Sequence, residues 1–447
     1  MPPTHAIHSH RTYLDGHFQP ATVFIKNGRI HSIKKGKPGH IGCPLEEVGN
    51  AVLMPGLTDP HVHINEPGRT DWEGFDTATK AAAAGGITTL VDMPLNSSPV
   101  TTSPQNFQKK LAAAEGKLHV NCGFWGGIVP SNAGEMEALL ASGVLGIKAF
   151  LTHSGIDEFP NVTAADLRKG MSAIAKSGLP LLVHCELENA AASVVTADLR
   201  SYQSYLRSRP KAWENAAIEL MVSLCREFGC RTHIVHLSSA EALPVIIKAK
   251  KEGLPLTVET CAHYLYFDAE NIPDADTRYK CAPPIREKEN NEQLWEALRN
   301  GTIDFLATDH SPAPPEMKQL ESGDLRKAWG GISSLQFLLP IIWTAARQRG
   351  FELKNIVAWL VEKPAQFIGQ GHRKGKIAVG YDADLVVWQP EEIFEIKTEN
   401  IFHRHKITPY LGQQLFGKTI QTYIGGAKVF EDGGIAAGTR GKVILHK

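Results

Sequence analysis

The sequence predicts an α/β protein: a (β/α)8 TIM-like barrel with a small β-sandwich formed from both chain termini. Three observations predict it. Eight short apolar runs alternate with helix-compatible stretches through the middle of the chain, and both ends are rich in β-type residues and turns. Histidines and a carboxylate fall at the C-terminal ends of the apolar runs, the rim where such a barrel gathers its chemistry.

The eight runs are Leu57 to His63, Ile87 to Asp92, His119 to Trp125, Gly146 to Leu151, Pro180 to His184, Thr232 to His236, Pro255 to Thr260 and Ile303 to Thr308. Helix candidates lie between them. One begins at Ser103, a capping residue followed by a first-turn proline, Pro104; another spans Ala240 to Lys251. Near the start, Ala21 to Ile33 is two β-type runs around Asn27-Gly28, a pair suited to a type I′ hairpin turn. At the far end, Asp384 to Trp388 and Thr422 to Phe430 are β-rich segments. Neither end can bury its strands alone, so the two are expected to join. The domain reading is 1–53 and 376–447 for the two parts of the sandwich and 54–375 for the barrel.

Bulk properties narrow the function classes. The chain has 447 residues, with Lys plus Arg and Asp plus Glu both at 47, so no strong overall field recruits nucleic acid or an anionic membrane. The seven cysteines are odd in number and show no CxxC pair, which suggests neither a disulfide framework nor a thiolate metal site and fits a reducing compartment. No apolar run approaches the roughly 18 residues of a membrane helix, the N-terminus lacks a signal-peptide core, and Leu445-His446-Lys447 is not a peroxisomal address. An intracellular location is expected, cytoplasmic by default, with an organelle left open.

Laid onto the strands, His61 and His63 close the first run, Lys148 lies in the fourth, His184 ends the fifth, His236 ends the sixth and Asp309 follows the eighth. A lone histidine is more often a surface or satisfied core residue than a ligand, but the joint placement on one rim argues for a metal site. Alternate residues of a strand share a face, so His61 and His63 can point inward together and form half of a zinc-type site. Four histidines and a carboxylate exceed the needs of one tetrahedral ion, so two divalent ions are the natural reading. Lys148, between Ile147 and Ala149, has two readings: its stem packs while its head reaches solvent, or burial keeps the amine neutral and lets it capture carbon dioxide as a carbamate that bridges two cations.

These residues resemble the cyclic amidohydrolases of the amidohydrolase superfamily, which include dihydroorotases, hydantoinases and allantoinases. The resemblance runs over nearly the whole chain, through Pro55 to His63, Lys148, Val183-His184-Cys185-Glu186, His236 to Ala240, Cys281 to Arg286 and Thr308 to Pro312, in the family's order. It implies that His61, His63 and Asp309 hold one metal, that His184 and His236 hold the other, and that Lys148, N6-carboxylated with consumption of carbon dioxide, bridges them. It further implies zinc as the default metal, attack of a shared hydroxide on a ring amide, and Asp309 as general base and then general acid. Homo-oligomers, with a tetramer favoured, are also implied. A non-catalytic relative that has lost metal ligands is the reading from another class; here all six ligand positions carry competent residues.

The loops bear on the substrate. Dihydroorotases commonly place an arginine two residues after the second histidine to grip a carboxylate; this chain has Asn65, which weighs against an acidic ring, unless it simply caps its own turn. Asp92 to Pro99, Ser311 to Lys318 and Ala328 to Gln336 are similar to the allantoinase branch, and the tyrosine that hydantoinases usually carry near the position of His153 is absent. The resemblance therefore implies hydrolytic opening of the neutral hydantoin ring of allantoin to allantoate, in purine degradation, with dihydroorotase and hydantoinase or dihydropyrimidinase activities as alternatives. Asn96, His153, Ala282, Ser311 and Trp329 are the candidate contacts to a small neutral cyclic ureide, with backbone groups near Ala282 and Trp329 as partners.

Overall fold

In a computed structural model, which describes residues 3–189 and 198–446, all eight expected barrel strands are present. They are Leu57–Val62, Ile87–Asp92, a broken third strand (Asn121–Phe124 and Gly126–Gly127), Ile147–Phe150, Leu181–His184, Thr232–Ile234, Leu256–Cys261 and Phe305–Ala307. Each is parallel to its neighbour, with helices in between. The third strand breaks at Trp125: its first half pairs with the second strand and its glycine half with the fourth. A Cβ on Gly126 would meet Leu139 at 2.9 Å and one on Gly127 would meet Phe159 at 2.3 Å, so the crossing needs both glycines.

The seam between the eighth and first strands is held differently from the others. A single parallel bridge links Val62 to His310, and the His63 N–H donates to the His310 carbonyl at 2.8 Å. Below it the Thr308 hydroxyl donates to the buried Asp59 carboxylate at 2.5 Å. The sixth and eighth strands stop short of the apolar runs that announce them. His236 and Asp309 take left-handed backbone, φ 40° and 46°, which no strand continues through.

The terminal segments meet in one sheet of nine strands. Val52–Pro55 pairs with His5–Leu14 on one side and with Leu385–Glu395 on the other, which joins the N-terminal strands to Gln414–Ile424, Ala427–Glu431 and Gly434–Ile435. The sheet carries an apolar cluster of its own, including Ile7, Val23, Ile25, Leu53, Leu385 and Val387. The hairpin turn falls at Asn27-Gly28, both with positive φ. The last residues leave this sheet and run along the third barrel strand, with the Cys122 N–H donating to the Lys442 carbonyl at 3.0 Å and the Ile444 N–H to the Cys122 carbonyl at 2.9 Å. Ser103 caps the Pro104–Ala114 helix, accepting from the Asn106 N–H at 3.2 Å. Among the described residues no helix is long and apolar enough to cross a membrane.

Candidate metal centre

The first strand ends where its two histidines meet the carboxylate that follows the eighth. Asp309 Oδ1 lies 3.2 Å from His61 Nε2 and 3.3 Å from His63 Nε2, and the three side chains are buried together. Such a set of two imidazoles and a carboxylate can hold one divalent ion. Burial pushes the Asp309 carboxyl up, but His61 and His63 outweigh it and hold the group well below the usual carboxylate range. Burial lowers the His63 pKa to about 4, against the pull of Asp309, so the ring is neutral as a ligand must be.

A second group faces the first. His236 stands with its ring centroid 5.5 Å from that of His61 and 4.6 Å from that of His184, and the His184 ring stacks on Phe150 at 4.7 Å. Burial lowers the pKa of both His184 and His236. Lys148 is fully buried and its Nζ finds no hydrogen-bond partner; burial lowers its pKa to about 8, although Asp309 and Glu259 pull it up. A head reaching solvent is thus ruled out for this lysine. Its orphaned amine, with the equally unpartnered Nδ1 of His236, is a pair of buried polar atoms that the protein alone leaves unsatisfied.

The ring nitrogens are apportioned by residues that the sequence did not single out. His61 Nδ1 lies 2.5 Å from Glu259 Oε1, which leaves Nε2 toward Asp309, and Glu259 also faces His233 at 3.2 Å. His184 Nε2 lies 2.7 Å from Glu186 Oε2, which leaves its Nδ1, and Arg209 grips both oxygens of Glu186. Although burial pushes both glutamates up, their hydrogen-bonded neighbours prevail and each is held to about 2: for Glu259 His61 and His233, for Glu186 Arg209 and His184. Carboxylates behind histidines fix tautomer and orientation in metal sites. Glu186 lies two residues after His184 and could have been found by that proximity; Glu259 lies 198 residues from His61 in sequence, and only the barrel's closure brings the two together.

Asn96 Nδ2 lies 3.3 Å from His63 Nδ1, while its own Oδ1 has no partner. Turning the amide over would let His63 donate from Nδ1 to Oδ1 and present Nε2 as a lone pair, satisfying both atoms.

A cavity of about 600 Å³ opens onto these groups. Asn96, His153, Ala282, Ser311 and Trp329 all line it, with His61, His63, His184, His236 and Asp309. Ser311 Oγ is 3.4 Å from Asp309 Oδ1, and His153 is exposed at the mouth, 3.5 Å from Asp157. The Trp329 N–H is committed within its loop, donating to the Met317 carbonyl at 2.8 Å, and the Trp329 carbonyl accepts from Lys318 at 3.0 Å. Asn65 does not line the cavity. It is buried at φ 68°, and its Nδ2 donates to the Pro312 carbonyl at 3.3 Å, so it serves the loop backbone where asparagine tolerates a left-handed turn.

The chain matches the amidohydrolase family over residues 52–429. It is 46% identical to the allantoinase of Arabidopsis thaliana over 95% of this chain and 87% of that protein. It is also 46% identical to the probable allantoinase of Oryza sativa subsp. japonica (99% and 90%), and 40% identical to the allantoinase of Saccharomyces cerevisiae (99% of each). Among solved structures, the L-hydantoinase of Arthrobacter aurescens matches with a TM-score of 0.91 at 29% identity over 99% of this chain and 100% of that one. A D-hydantoinase from Bacillus sp. AR9 matches with a TM-score of 0.89 at 26% identity, covering 99% and 98%. With its barrel, its rim of histidines and these relatives, the chain belongs to the amidohydrolase family, in the allantoinase branch.

Proposed function

We propose that the protein is a metal-dependent cyclic amidase that opens the hydantoin ring of allantoin to allantoate. The observation that carries this is the convergence of His61, His63 and Asp309 opposite His184 and His236 on one cavity, with the buried Lys148 amine under the electrostatic pull of Asp309, in a chain of the allantoinase branch. The donors fit two divalent ions: His61, His63 and Asp309 would hold one, His184 and His236 the other, and Lys148, carboxylated on Nζ, would bridge them and end the isolation of its amine. Carbamate formation requires a neutral amine, and the burial that lowers Lys148 to about 8 favours it. Zinc is the default among ions that imidazole and carboxylate suit. When bound, such ions supply Lewis acidity toward an amide carbonyl and a nucleophile at neutral pH.

The chain's own residues do the rest. Asp309, ionised at neutral pH, accepts the proton released on attack at the ring amide and returns it to the departing ring nitrogen, so that C–N cleavage leaves that nitrogen as the NH2 of a neutral ureido group. Glu259 and Glu186 hold His61 and His184 in orientation. The indole of Trp329, packed edge-on against Trp72 at 4.8 Å, walls the cavity and keeps water from its side. The barrel at 54–375 would carry the chemistry, with 1–53 and 376–447 as the terminal pieces of the accompanying sheet, and a homotetramer in the cytoplasm is the assembly and location that go with this reading.

The test is an assay of allantoate release from allantoin beside dihydroorotate and unsubstituted hydantoin. Allantoin is the expected substrate; turnover of dihydroorotate without allantoin would overturn the assignment.

A further inference from the structure

One carboxylate in the cavity takes no part in the metal centre. Glu188 lies four residues beyond His184, and Thr152 lies four residues beyond Lys148; the buried Thr152 hydroxyl donates to Glu188 Oε1 at 2.5 Å. The pair ties the loop after the fourth barrel strand to the loop after the fifth, and it holds the exposed Glu188 carboxylate on the wall of the cavity that the metal-facing histidines also line. Oε2 receives no hydrogen bond among the described residues.

Glu188 is exposed and attracts Arg209 electrostatically, but the hydrogen bonds of the neighbouring cations go elsewhere. Arg209, which also lines the cavity, is committed to Glu186, with Nε 3.1 Å from Oε1 and a second bond to Oε2. Lys280 spends its ammonium on the carbonyls of Arg326 at 3.1 Å and Ala328 at 2.5 Å. Arg326 and Lys327 line the cavity but are exposed, where water screens them. Asp198, the other acidic lining residue outside the metal centre, gives its Oδ1 to the N–H groups of Arg200 and Ser201 at the turn that precedes the Tyr202–Ser208 helix.

A carboxylate held through one oxygen by Thr152, with its other oxygen unbonded among the described residues, is complementary to N–H donors and repels a carboxylate-bearing ring. We propose that Glu188 accepts hydrogen bonds from the ureido N–H groups of the substrate and so sets the preference for ureido-bearing hydantoins over rings that carry a carboxylate or no substituent. This rests on the activity proposed above and adds the residue that discriminates among substrates. A site built to bond a polar substituent loses that advantage for any ring that lacks it. Thr152 is a positioning residue in this arrangement, since it acts through Glu188.

The experiment uses the metal-replete full chain with Glu188→Ala, Glu188→Gln and Thr152→Val. For each, KM and kcat are measured on allantoin, together with the inhibition constant of unsubstituted hydantoin as a competitor of the same reaction. Glu188→Ala is expected to lower kcat/KM for allantoin about 10- to 100-fold, mostly through KM, as loss of a charged hydrogen bond does. The inhibition constant for hydantoin should stay within about twofold, because that ring offers nothing to Glu188. Glu188→Gln should fall between, and Thr152→Val should shift allantoin in the same direction by less. Unchanged kcat/KM for allantoin in Glu188→Ala, or equal weakening of hydantoin and allantoin, would overturn the proposal. Failure of the unaltered enzyme to open allantoin is a separate result, which overturns the activity and the proposal with it.

Discussion

His61 and Glu259 form a buried pair in which Nδ1 lies 2.5 Å from Oε1, although 198 residues separate them in the chain. Glu259→Gln keeps the shape and removes the charge that favours a proton on Nδ1. Divalent-ion affinity should fall about 10- to 100-fold, the usual effect of losing a carboxylate behind a ligating histidine. Titration of the metal-stripped protein measures it; unchanged affinity would mean that Glu259 only fills space.

Asp309→Asn should give a folded protein that has lost turnover by about 100-fold or more, because an amide cannot accept the proton that Asp309 is assigned. The circular dichroism spectrum and kcat on allantoin are the two readings. Near-normal kcat would remove Asp309 from its role.

Lys148→Ala should lower bound metal as well as turnover, since the variant lacks the anion proposed to bridge the two ions. Added short-chain carboxylate, which can enter the vacated space, should restore part of both. Metal analysis by elemental spectrometry, with and without the carboxylate, reads the outcome.

Lys318 predicts a pH dependence of stability. It is buried with its ammonium on the carbonyls of Trp329 and Gly331, and burial, aided by Lys280, lowers its pKa to about 7 from an ordinary 10.5. Between those values the unfolded chain keeps a proton that the folded chain has released, so this group makes stability rise with pH from about 7 to about 10.5. Lys318→Met should lose that part of the slope. Denaturant unfolding at pH 7 and pH 9.5, compared between the unaltered chain and the variant, checks the sign; a difference that shrinks as pH rises would contradict it.

The barrel was legible because its periodic signals are local. Each strand is a short apolar run, and His61, His63, His184, His236 and Asp309 mark where the runs end. The ends of the sixth and eighth strands were less legible, since the left-handed backbone of His236 and Asp309 comes from the closed seam and the rim rather than from residue type. The metal-facing residues could be placed from strand order alone. Glu259, His233, Arg209 and the Thr152 to Glu188 contact could not, because each depends on which strands become neighbours and how their loops turn. Asn65 is the instructive case. The sequence weighed its lack of charge as a clue to the substrate, but the side chain faces the Pro312 carbonyl and its place follows from backbone geometry.

The most direct measurement is allantoate release from allantoin by the same preparation before chelation, after removal of metal and after readdition of a divalent ion. Ring opening that disappears on chelation and returns with the ion is the predicted result. Allantoin left intact by the metal-replete protein, with dihydroorotate opened in its place, would contradict the account.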